Sequence, residues 1–404
     1  MDRVVIIGAS LAGASAAFAL RKAGFAGSIA LVGEEAHLPY ERPKLSKEYL
    51  RGEVPMEKAL VRPAAEYESQ GIELLRGARA VTIDRRARRV TLADGGELAY
   101  DRLLLATGAT ARRIAVPGGD LQNVLTLRTL DDADAIRRMA ATAERIVVVG
   151  GGWIGTEVAA SLRQLGLAVT LVMSLPLPLE HVLGPELGRV YAELHRSNGV
   201  ELVTGNVTGF AGRTAVSGVR LERDRIIPAD LVVVGVGAIP RVELARRAGL
   251  EVAEGGVAVD ERLRTSDPAV YVAGDVAAAW HPRYAARLRV EHWDNARKQG
   301  ALAARNMLGA DEAYERTPYF YSDQFDLGME ARGWLRGWDE VVIRGDLAAR
   351  EFLAFWLRDG RVIGAMNANI WDRGTELAAI VDGGERVDPA VLADPEAPLV
   401  EVAA

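Results

Sequence analysis

Apolar residues along this chain form short unbroken runs that lead into small-residue turns and then into helical spacing. The run from Arg145 to Val149 is followed by a turn, Gly150 to Gly155, and then by apolar positions three and four residues apart as far as Leu165. An unbroken apolar run of this length indicates a strand buried on both faces, and the spacing after it indicates an amphipathic helix. The stretch therefore predicts a buried parallel strand, a tight turn and a helix.

The same arrangement occurs at the start of the chain. Arg3 to Ile7 is a second apolar run, the turn runs from Gly8 to Gly13, and helical spacing continues through Leu20. A strand, a glycine-rich turn and a helix in this order form the context of a dinucleotide-binding fingerprint. One copy could be an ordinary glycine turn of an α/β protein. Two copies favour two nucleotide sites, and hence electron transfer between two cofactors.

Each turn position has its own physical role. In the second copy Gly150 makes the tight turn, Gly152 lets the backbone approach a pyrophosphate, and Gly155 lets the helix lie close to the strand. The phosphates would lie at the helix N-terminus, where free N–H groups and the helix dipole favour an anion. The first copy supplies Gly8, Ser10 and Gly13 at these positions. The turn residues assigned to the same two sites are Leu11, Ala12, Trp153 and Ile154.

The two copies differ where an acidic residue should bind the adenosine ribose. Glu34 lies 21 residues after Gly13, close to the expected position. In the second copy the strand ends in Met173, 18 residues after Gly155. A thioether neither accepts well from ribose hydroxyls nor repels a 2′-phosphate. We therefore expect weak NADH binding with NADH modestly preferred over NADPH.

The C-terminal part, from about Pro318, has a different pattern. Two apolar runs flank Asp359-Gly360, which is a strong hairpin signal, and helical spacing follows from Asp372 to Val381. This predicts an antiparallel sheet with a helix or two and an irregular tail from Pro389. Five tryptophans are expected to pack in the core or in this C-terminal part, namely Trp280, Trp334, Trp338, Trp356 and Trp371.

Composition excludes several classes of protein. The 404 residues carry a net charge of −6, which argues against nucleic-acid binding, and no apolar run approaches the ~20 residues of a membrane span. There is no cysteine, which excludes a disulfide framework, thiolate metal sites and a redox-active cysteine pair, and which fits a cytoplasmic protein. The five histidines have no metal-ligand spacing, so no metal is expected.

Several further motifs accompany the two fingerprints. A proline-pinned basic loop, Leu38 to Lys47, follows the first acidic strand end, and an apolar strand ends in Thr107-Gly108. Later motifs are Thr265 to Val276, which contains Gly274-Asp275, then Glu291 to Ala296, and Tyr321 to Gln324. Over essentially its whole length the chain resembles the FAD/NAD-linked ferredoxin reductases of the rubredoxin and putidaredoxin type, with apoptosis-inducing factor as a more distant relative.

The resemblance implies an α/β fold with two Rossmann-like dinucleotide-binding domains, one for FAD and one for NAD, and a C-terminal α+β domain with an antiparallel sheet. The FAD domain would be discontinuous, with the NAD domain inserted. The expected boundaries are 1–112 and 243–317 for the FAD domain, 113–242 for the NAD(P) domain and 318–404 for the C-terminal domain.

The resemblance also implies roles for residues. Lys47 would stabilise charge on reduced flavin, Glu157 would pair with Lys47 and face the nicotinamide amide, and Trp293 would flank the flavin. As an alternative, Glu157 could serve only the helix dipole, from the first turn of its helix. Trp293 could be ordinary packing, and Arg42, expected at the FAD phosphates, could face solvent. The remaining positions assigned to cofactor binding are Thr107, Gly108, Gly237, Gly274 and Asp275.

The function implied is that of an NAD(P)H-dependent flavoprotein ferredoxin reductase with FAD and NADH, or NADPH, as cofactors. It would reduce an iron–sulfur ferredoxin of [2Fe–2S] type that serves an oxygenase such as a cytochrome P450 or a ring-hydroxylating dioxygenase. The alternative is a redox-switched NAD-binding flavoprotein that resembles apoptosis-inducing factor. We expect a cytoplasmic monomer or weak homodimer. Candidates for a ferredoxin-docking face are Arg287, Arg289, Arg297, Lys298, Arg332 and Arg336.

Overall fold

The computed structural model describes residues 1–399. Its strands are β1 Arg3–Ile7, β2 Ser28–Gly33, β3 Ile72–Arg76, β4 Ala80–Asp84, β5 Arg89–Leu92, β6 Glu97–Ala99, β7 Arg102–Leu105, β8 Ala109–Ala111, β9 Val124–Thr126, β10 Arg145–Val149, β11 Ala168–Met173, β12 Glu201–Thr204, β13 Val207–Gly212, β14 Val216–Leu221, β15 Ile226–Pro228, β16 Leu231–Val234, β17 Ala238–Pro240, β18 Val252–Ala253, β19 Gly256–Val259, β20 Val270–Val272, β21 Ala277–His281, β22 Ala286–Leu288, β23 Tyr319–Gln324, β24 Leu327–Gly333, β25 Glu340–Asp346, β26 Glu351–Arg358 and β27 Arg361–Ala368.

The helices alternate with these strands over the first three quarters of the chain. They are α1 Leu11–Lys22, α2 Ala64–Ser69, α3 Leu130–Ala140, α4 Trp153–Gln164, α5 Glu180–Leu183, α6 Pro185–Ser197, α7 Glu243–Arg247, α8 Trp293–Met307, α9 Gly374–Gly383 and α10 Pro389–Ala393. Short 3₁₀ turns cover Arg42–Ser46, Met56–Lys58, Glu222–Asp224 and Pro282–Tyr284. In the described part of the chain, no helix is both long enough and apolar enough to cross a bilayer.

The chain forms two compact units. The first contains residues 1–42, 55–110 and 238–316, and the second contains residues 43–54, 111–237 and 317–399. Each unit is built around a five-stranded parallel sheet, with the strand order β20-β7-β1-β2-β3 in the first and β12-β11-β10-β16-β9 in the second. The central strands of both sheets are almost fully buried, as their unbroken apolar runs predict.

In the first unit, helices α1 and α8 lie close together beside the parallel sheet. A Cβ at Gly300 of α8 would lie 2.1 Å from the carbonyl oxygen of Ala12 in α1, so only glycine permits this approach. Two smaller sheets complete the unit, β4-β5-β6 and β18-β19-β21-β22. The contact of α8 with the start of α1 matters for the site, because α8 brings Trp293 with it.

In the second unit, the C-terminal segment forms an antiparallel sheet of order β23-β24-β27-β26-β25. Strand β26 is buried on both faces: Phe352 and Trp356 pack toward α5 and α6, and Leu353 and Phe355 pack toward α9. The hairpin predicted at Asp359-Gly360 is confirmed, since Arg358 pairs with Arg361 and both turn residues have positive φ.

The predicted fold class, two Rossmann-like units and a C-terminal antiparallel sheet with helices, is confirmed. Two local expectations are wrong. The tail is not wholly irregular, because Pro389–Ala393 is a short helix in which the Ala390 N–H donates to the Asp388 carboxylate. Trp280 is 39% exposed and lies outside the C-terminal part, so it is not a core residue, whereas Trp371, although 53% exposed, lies against Gly328 of the C-terminal sheet as expected.

Candidate functional site

The first turn, between β1 and α1, has no room for side chains at its two glycines. Gly8 has φ +117°, and a Cβ there would lie 2.0 Å from the carbonyl oxygen of Ala106 at the end of β7. A Cβ at Gly13 would lie 2.0 Å from the carbonyl oxygen of Gly8. The turn therefore needs glycine at both positions, as the sequence pattern predicts.

The second turn has the same construction. Gly150 has φ +119°, with a Cβ position 2.3 Å from the carbonyl oxygen of Gly235, and a Cβ at Gly155 would lie 1.8 Å from the carbonyl oxygen of Gly150. Gly152 has open space around its Cβ position, so a ligand can approach its backbone. Gly237, with φ +104°, accepts a hydrogen bond from the Arg112 N–H at 2.9 Å and ends the loop that follows β16.

Both nucleotide-type helices begin without a side-chain cap. Ser10 and Gly152 are the N-cap residues of α1 and α4, neither makes a side-chain capping bond, and neither first turn contains an acid. Helix α3 differs, because Thr129 and Asp132 form a reciprocal capping box there. The first-turn N–H groups of α1 and α4 are thus left for an anion such as a pyrophosphate. The turns fit the dinucleotides that the sequence predicts.

The side chains of Trp153 and Ile154, which follow the second turn, differ in their surroundings. The Trp153 ring packs against Phe320, with ring centres 4.4 Å apart, and edge-on against Tyr191. Ile154 is 42% exposed at the start of α4. Trp153 can therefore contribute its backbone to a cofactor while its ring belongs to the core of the second unit. Leu11 and Ala12, the corresponding residues of α1, are both buried.

The acids after β2 are held by arginines of the first unit. Glu34 forms an ion pair with Arg241 at 2.7 Å, and Glu35 forms one with Arg42 at 2.7 Å. Burial disfavours the charge on Arg42, but Tyr40, Glu35 and Asp275 outweigh this and raise its pKa. Arg42 is thereby fixed as a cation close to the Gly274-Asp275 turn.

Two more motifs of the first unit lie near its nucleotide turn. Gly274, with φ +82°, donates its N–H to Gln299 Oε1 at 2.9 Å, and a Cβ there would lie 3.2 Å from the Cβ of Ala12. The Asp275 turn thus lies beside the start of α1. Thr107 donates its hydroxyl to the Arg241 carbonyl at 2.9 Å, and Gly108 follows with φ +64°.

Trp293 is the first residue of α8 and is partly buried in the first unit. The guanidinium of Arg297, one turn later, lies 4.4 Å from the centre of its indole ring. The N-cap is His292, whose Nδ1 accepts from the Asp294 N–H at 3.4 Å. The indole is therefore held by a cation on its own helix, a contact that adds about 0.5–1 kcal/mol at exposed sites.

Met173 ends β11 and is turned onto the second glycine turn. It is 2% exposed, and a Cβ at Gly151 would lie 2.8 Å from its Sδ. The strand registers make Gly33 its counterpart in the first unit, where a Cβ would lie 2.6 Å from the Cβ of Ala9. In the first turn the strand-end residue is the smaller one, Gly33 beside Ala9. In the second turn the strand-end residue is the larger one, Met173 beside Gly151. By the same register Ser174, which is exposed, corresponds to Glu34.

A buried ion pair occupies the second unit. Lys47 Nζ lies 2.9 Å from Glu157 Oε2, and the two side chains are 5% and 4% exposed. Lys47 also donates to the Pro43 carbonyl at 3.2 Å, and its Nζ lies 5.6 Å from the centre of the Tyr321 ring. Taking two charges out of water is costly, so such a pair is retained only where good geometry offsets the loss.

Glu157 is held by more than the lysine. Oε2 also accepts from the Ser46 hydroxyl at 2.5 Å, and Oε1 accepts from the Ser322 hydroxyl at 2.7 Å. Glu157 is the fifth residue of α4, so its placement in the first helical turn was wrong. The helix dipole acts mainly within that turn, which makes a purely dipolar role for Glu157 less favoured.

Asp323 is the other carboxylate near this pair. It follows Ser322 on β23 and points to the opposite side of the strand. Desolvation raises its pKa, Lys47 opposes that shift, and Glu157 adds to it. The Asp323 carboxyl therefore takes up a proton more readily than an ordinary aspartate.

Sequence reasoning missed several polar residues around Glu157. The motif Tyr321 to Gln324 was noticed, but no role for Ser322 or Gln324 was derived from it. Ser46 stands next to Lys47 in a loop that was assigned to the site through Arg42 and Lys47. His195 has no recognisable pattern around it, because its partner Gln324 lies 129 residues away.

The comparisons with known proteins cover almost the whole chain. Residues 2–300 match the pyridine nucleotide-disulphide oxidoreductase family and residues 319–403 match the reductase C-terminal family. Putidaredoxin reductase CamA of Pseudomonas putida is 38% identical over 100% of this chain and 97% of its own.

Two solved structures are similar over their full length. The ferredoxin reductase for the CYP199A2 system of Rhodopseudomonas palustris has a TM-score of 0.95 at 39% identity, covering 100% of both chains. The reductase in the covalent putidaredoxin reductase–putidaredoxin complex has a TM-score of 0.94 at 38% identity, covering 99% of this chain and 98% of that one.

Proposed function

The chain belongs to the pyridine nucleotide-disulphide oxidoreductase family, and we propose that it passes electrons from NAD(P)H through FAD to a ferredoxin that serves an oxygenase. One observation carries the proposal. Two dinucleotide turns with uncapped helix N-termini occur in a sequence of 404 residues that contains no cysteine. Electrons therefore cannot leave through a disulfide of this chain, and the flavin must deliver them to an outside acceptor.

The cofactors are FAD and NAD(P)H, and FAD supplies the hydride acceptance and the one-electron release when bound. For FAD, the proposal assigns binding to Gly8, Ser10, Leu11, Ala12, Gly13, Glu34, Arg42, Thr107, Gly108, Gly274 and Asp275. For the nicotinamide coenzyme it assigns binding to Gly150, Gly152, Trp153, Ile154, Gly155, Met173 and Gly237. The uncapped helix N-termini would hold the pyrophosphates, and Arg42 would add a fixed positive charge for FAD.

Three residues are proposed to act at the redox centre. Lys47 would stabilise negative charge on reduced flavin, Glu157 would balance Lys47 and orient the coenzyme amide, and Trp293 would flank the flavin ring. The burial of the Lys47–Glu157 pair supports these roles, because exposed ion pairs contribute little whereas buried ones hold side chains in defined positions. None of the three needs to act as a nucleophile.

The proposed partner is an acidic [2Fe–2S] ferredoxin. Of the six cations suggested for docking, Arg289, Arg297 and Arg332 already form ion pairs with neighbouring acids. Arg287 donates to the backbone carbonyls of Val259 and Ala278. Arg336 stacks over Trp334, and the described residues show no ion pair for it or for Lys298. These two cations are therefore the better candidates for attracting a ferredoxin. We also propose a cytoplasmic location, which is consistent with the lack of cysteine, and a monomeric or weakly dimeric state.

Cofactor content and turnover test the function. The purified protein should be yellow, should release FAD on denaturation, and should reduce a one-electron acceptor such as a ferredoxin with NADH at many turnovers per second. FMN, or no flavin, would contradict the proposal. The alternative, a redox-switched NAD-binding flavoprotein, predicts slow turnover and a long-lived complex of the reduced protein with NAD⁺.

A further inference from the structure

The Glu157 carboxylate accepts hydrogen bonds at both of its oxygens. Ser322 donates to Oε1, while Ser46 and Lys47 share Oε2. The donors come from the loop after Arg42 and from strand β23, and Glu157 itself comes from helix α4. All four residues are buried. A carboxylate has about four acceptor positions, so these donors leave about one for a coenzyme group.

Gln324, two residues after Ser322 on the same face of β23, determines the direction of the Ser322 bond. Its Nε2 lies 3.0 Å from Thr156 Oγ1 and 3.2 Å from Ser322 Oγ. Its Oε1 lies 2.9 Å from His195 Nε2. The Thr156 hydroxyl donates to backbone carbonyls of its own helix, at 3.0 and 3.1 Å, so toward Gln324 it is an acceptor. The amide orientation follows from this network.

The protonation state of His195 determines the remaining hydrogen positions of this network. It is fully buried, and burial lowers its pKa to about 4, so the ring is neutral at physiological pH. A neutral imidazole has one N–H, and the bond to Gln324 Oε1 places that hydrogen on Nε2. Gln324 therefore donates through its amide nitrogen to Thr156 and Ser322. Because Ser322 accepts from Gln324, its own hydrogen can point only to Glu157.

We propose that Ser322, with its hydroxyl oriented by Gln324, is a positioning residue that fixes the Glu157 carboxylate against Lys47 for coenzyme binding and hydride transfer. The inference rests on the proposed roles of Lys47 and Glu157. The step concerned moves a hydride from NADH to oxidised FAD and leaves NAD⁺. Ser322 touches neither cofactor in this account and acts only through Glu157, so the C-terminal sheet holds one corner of the redox centre.

A double-mutant cycle tests this dependence. The variants are Ser322→Ala, Glu157→Gln and the pair, and the readouts are the dissociation constant of NAD⁺ for the oxidised holoprotein and the rate of flavin reduction by NADH in anaerobic stopped flow. A hydrogen bond to a charged group corresponds to about a 10- to 100-fold effect. We expect Ser322→Ala to change at least one readout about tenfold in the native background and less than about twofold in the Glu157→Gln background.

Two further variants separate positioning from general loosening of the structure. Ser322→Thr keeps the hydroxyl and should retain most of the native NAD⁺ affinity and rate of flavin reduction. Ser161 is a matched control, since it is buried like Ser322 and lies on the same helix as Glu157, but its hydroxyl donates to the Ser46 carbonyl at 2.6 Å and not to the carboxylate. The effect of Ser161→Ala should be the same in both Glu157 backgrounds. Should Ser322→Ala not fold, Ser322→Cys, which is similar in size and a weak donor, enters the same cycle.

The outcomes distinguish the inference from the function on which it rests. If Glu157→Gln changes the readouts but Ser322→Ala has no effect, or the same effect in both backgrounds, the positioning role of Ser322 is refuted alone. If Glu157→Gln leaves both readouts unchanged while NADH still reduces the flavin, the proposed role of Glu157 fails and the inference fails with it. Loss of the Ser322 effect only in the Glu157→Gln background supports the inference.

Discussion

The strand end at Met173 offers a direct test of how this protein recognises the adenosine ribose of its coenzyme. The change is Met173→Glu, which supplies a carboxylate at the end of the strand, where dinucleotide sites commonly carry one. Met173 lies directly on Gly151 of the turn that is proposed to bind the coenzyme. A carboxylate there would accept from the ribose hydroxyls and repel a 2′-phosphate.

The expected size of the effect follows from one hydrogen bond to a charged group. Such a bond contributes about 1.5–3 kcal/mol, so Met173→Glu should tighten NADH about 10- to 100-fold and weaken NADPH. The native protein should show a high KM for NADH and only a modest preference for it. Because Met173 is 2% exposed, the variant also loses apolar burial and should unfold at a lower temperature.

Steady-state kinetics with NADH and NADPH measure both effects, and Ser174→Glu is the competing variant. It adds the same charge one residue later, at the exposed counterpart of Glu34, which is the acid assigned to the ribose in the first unit. Tightening by Ser174→Glu and not by Met173→Glu would refute the assignment of the ribose contact to Met173. A micromolar native KM for NADH with strong exclusion of NADPH would show that another group binds the ribose. A clear NADPH preference would point to a basic residue distant in sequence.

Three further predictions concern charge. Lys47→Met should lower the flavin reduction potential by about 30–60 mV, since a cation worth about 1.5–3 kcal/mol to the reduced state is lost, and should slow hydride transfer; an unchanged potential in a dye titration would mean that the ion pair is only structural. Reduction of an acidic ferredoxin should slow as salt rises, because attraction between charges more than ~10 Å apart is largely screened at 0.1 M salt. A rate independent of salt would indicate apolar docking. The third concerns His195, whose folded-state pKa of about 4 lies below its unfolded value of about 6.5, so its contribution to stability is present above pH ~6.5 and is lost as pH falls toward 4. The loss should be on the order of 3 kcal/mol in denaturant unfolding, and a His195→Gln variant that loses as much over this range would contradict the assignment.

Much of the fold could be predicted from the pattern of apolar and turn residues in short stretches of sequence. Arg3 to Ile7 and Arg145 to Val149 are strands with the predicted bounds, because an uninterrupted apolar run is stable only when both faces of the strand are covered. The hairpin at Asp359-Gly360 was equally accessible, since the turn needs positive φ at both residues and this dipeptide tolerates it. These features depend on a few consecutive residues and on backbone sterics.

The exposure of individual side chains was harder to predict from the sequence. Trp280 was expected to pack in the core or in the C-terminal part because large aromatic side chains are usually covered, but its burial depends on what covers it. In the same way, the spacing from Gly155 identified Met173 as the strand-end residue, yet its exchange of size with Gly151 became visible only when both turns could be compared with Gly33 and Ala9. Both features depend on neighbours that are not adjacent in sequence.

What the sequence by itself determined about this protein is its pair of nucleotide turns, its C-terminal hairpin and the absence of any thiol relay. Tertiary structure alone decided the surroundings of Glu157, whose hydroxyl donors Ser46 and Ser322 lie 111 and 165 residues away from it. The physical reason is that turn and strand signals arise from the conformational preferences of neighbouring residues. The partners of a buried carboxylate are instead set by which distant segments pack together, since an unpaired charge cannot remain in the interior.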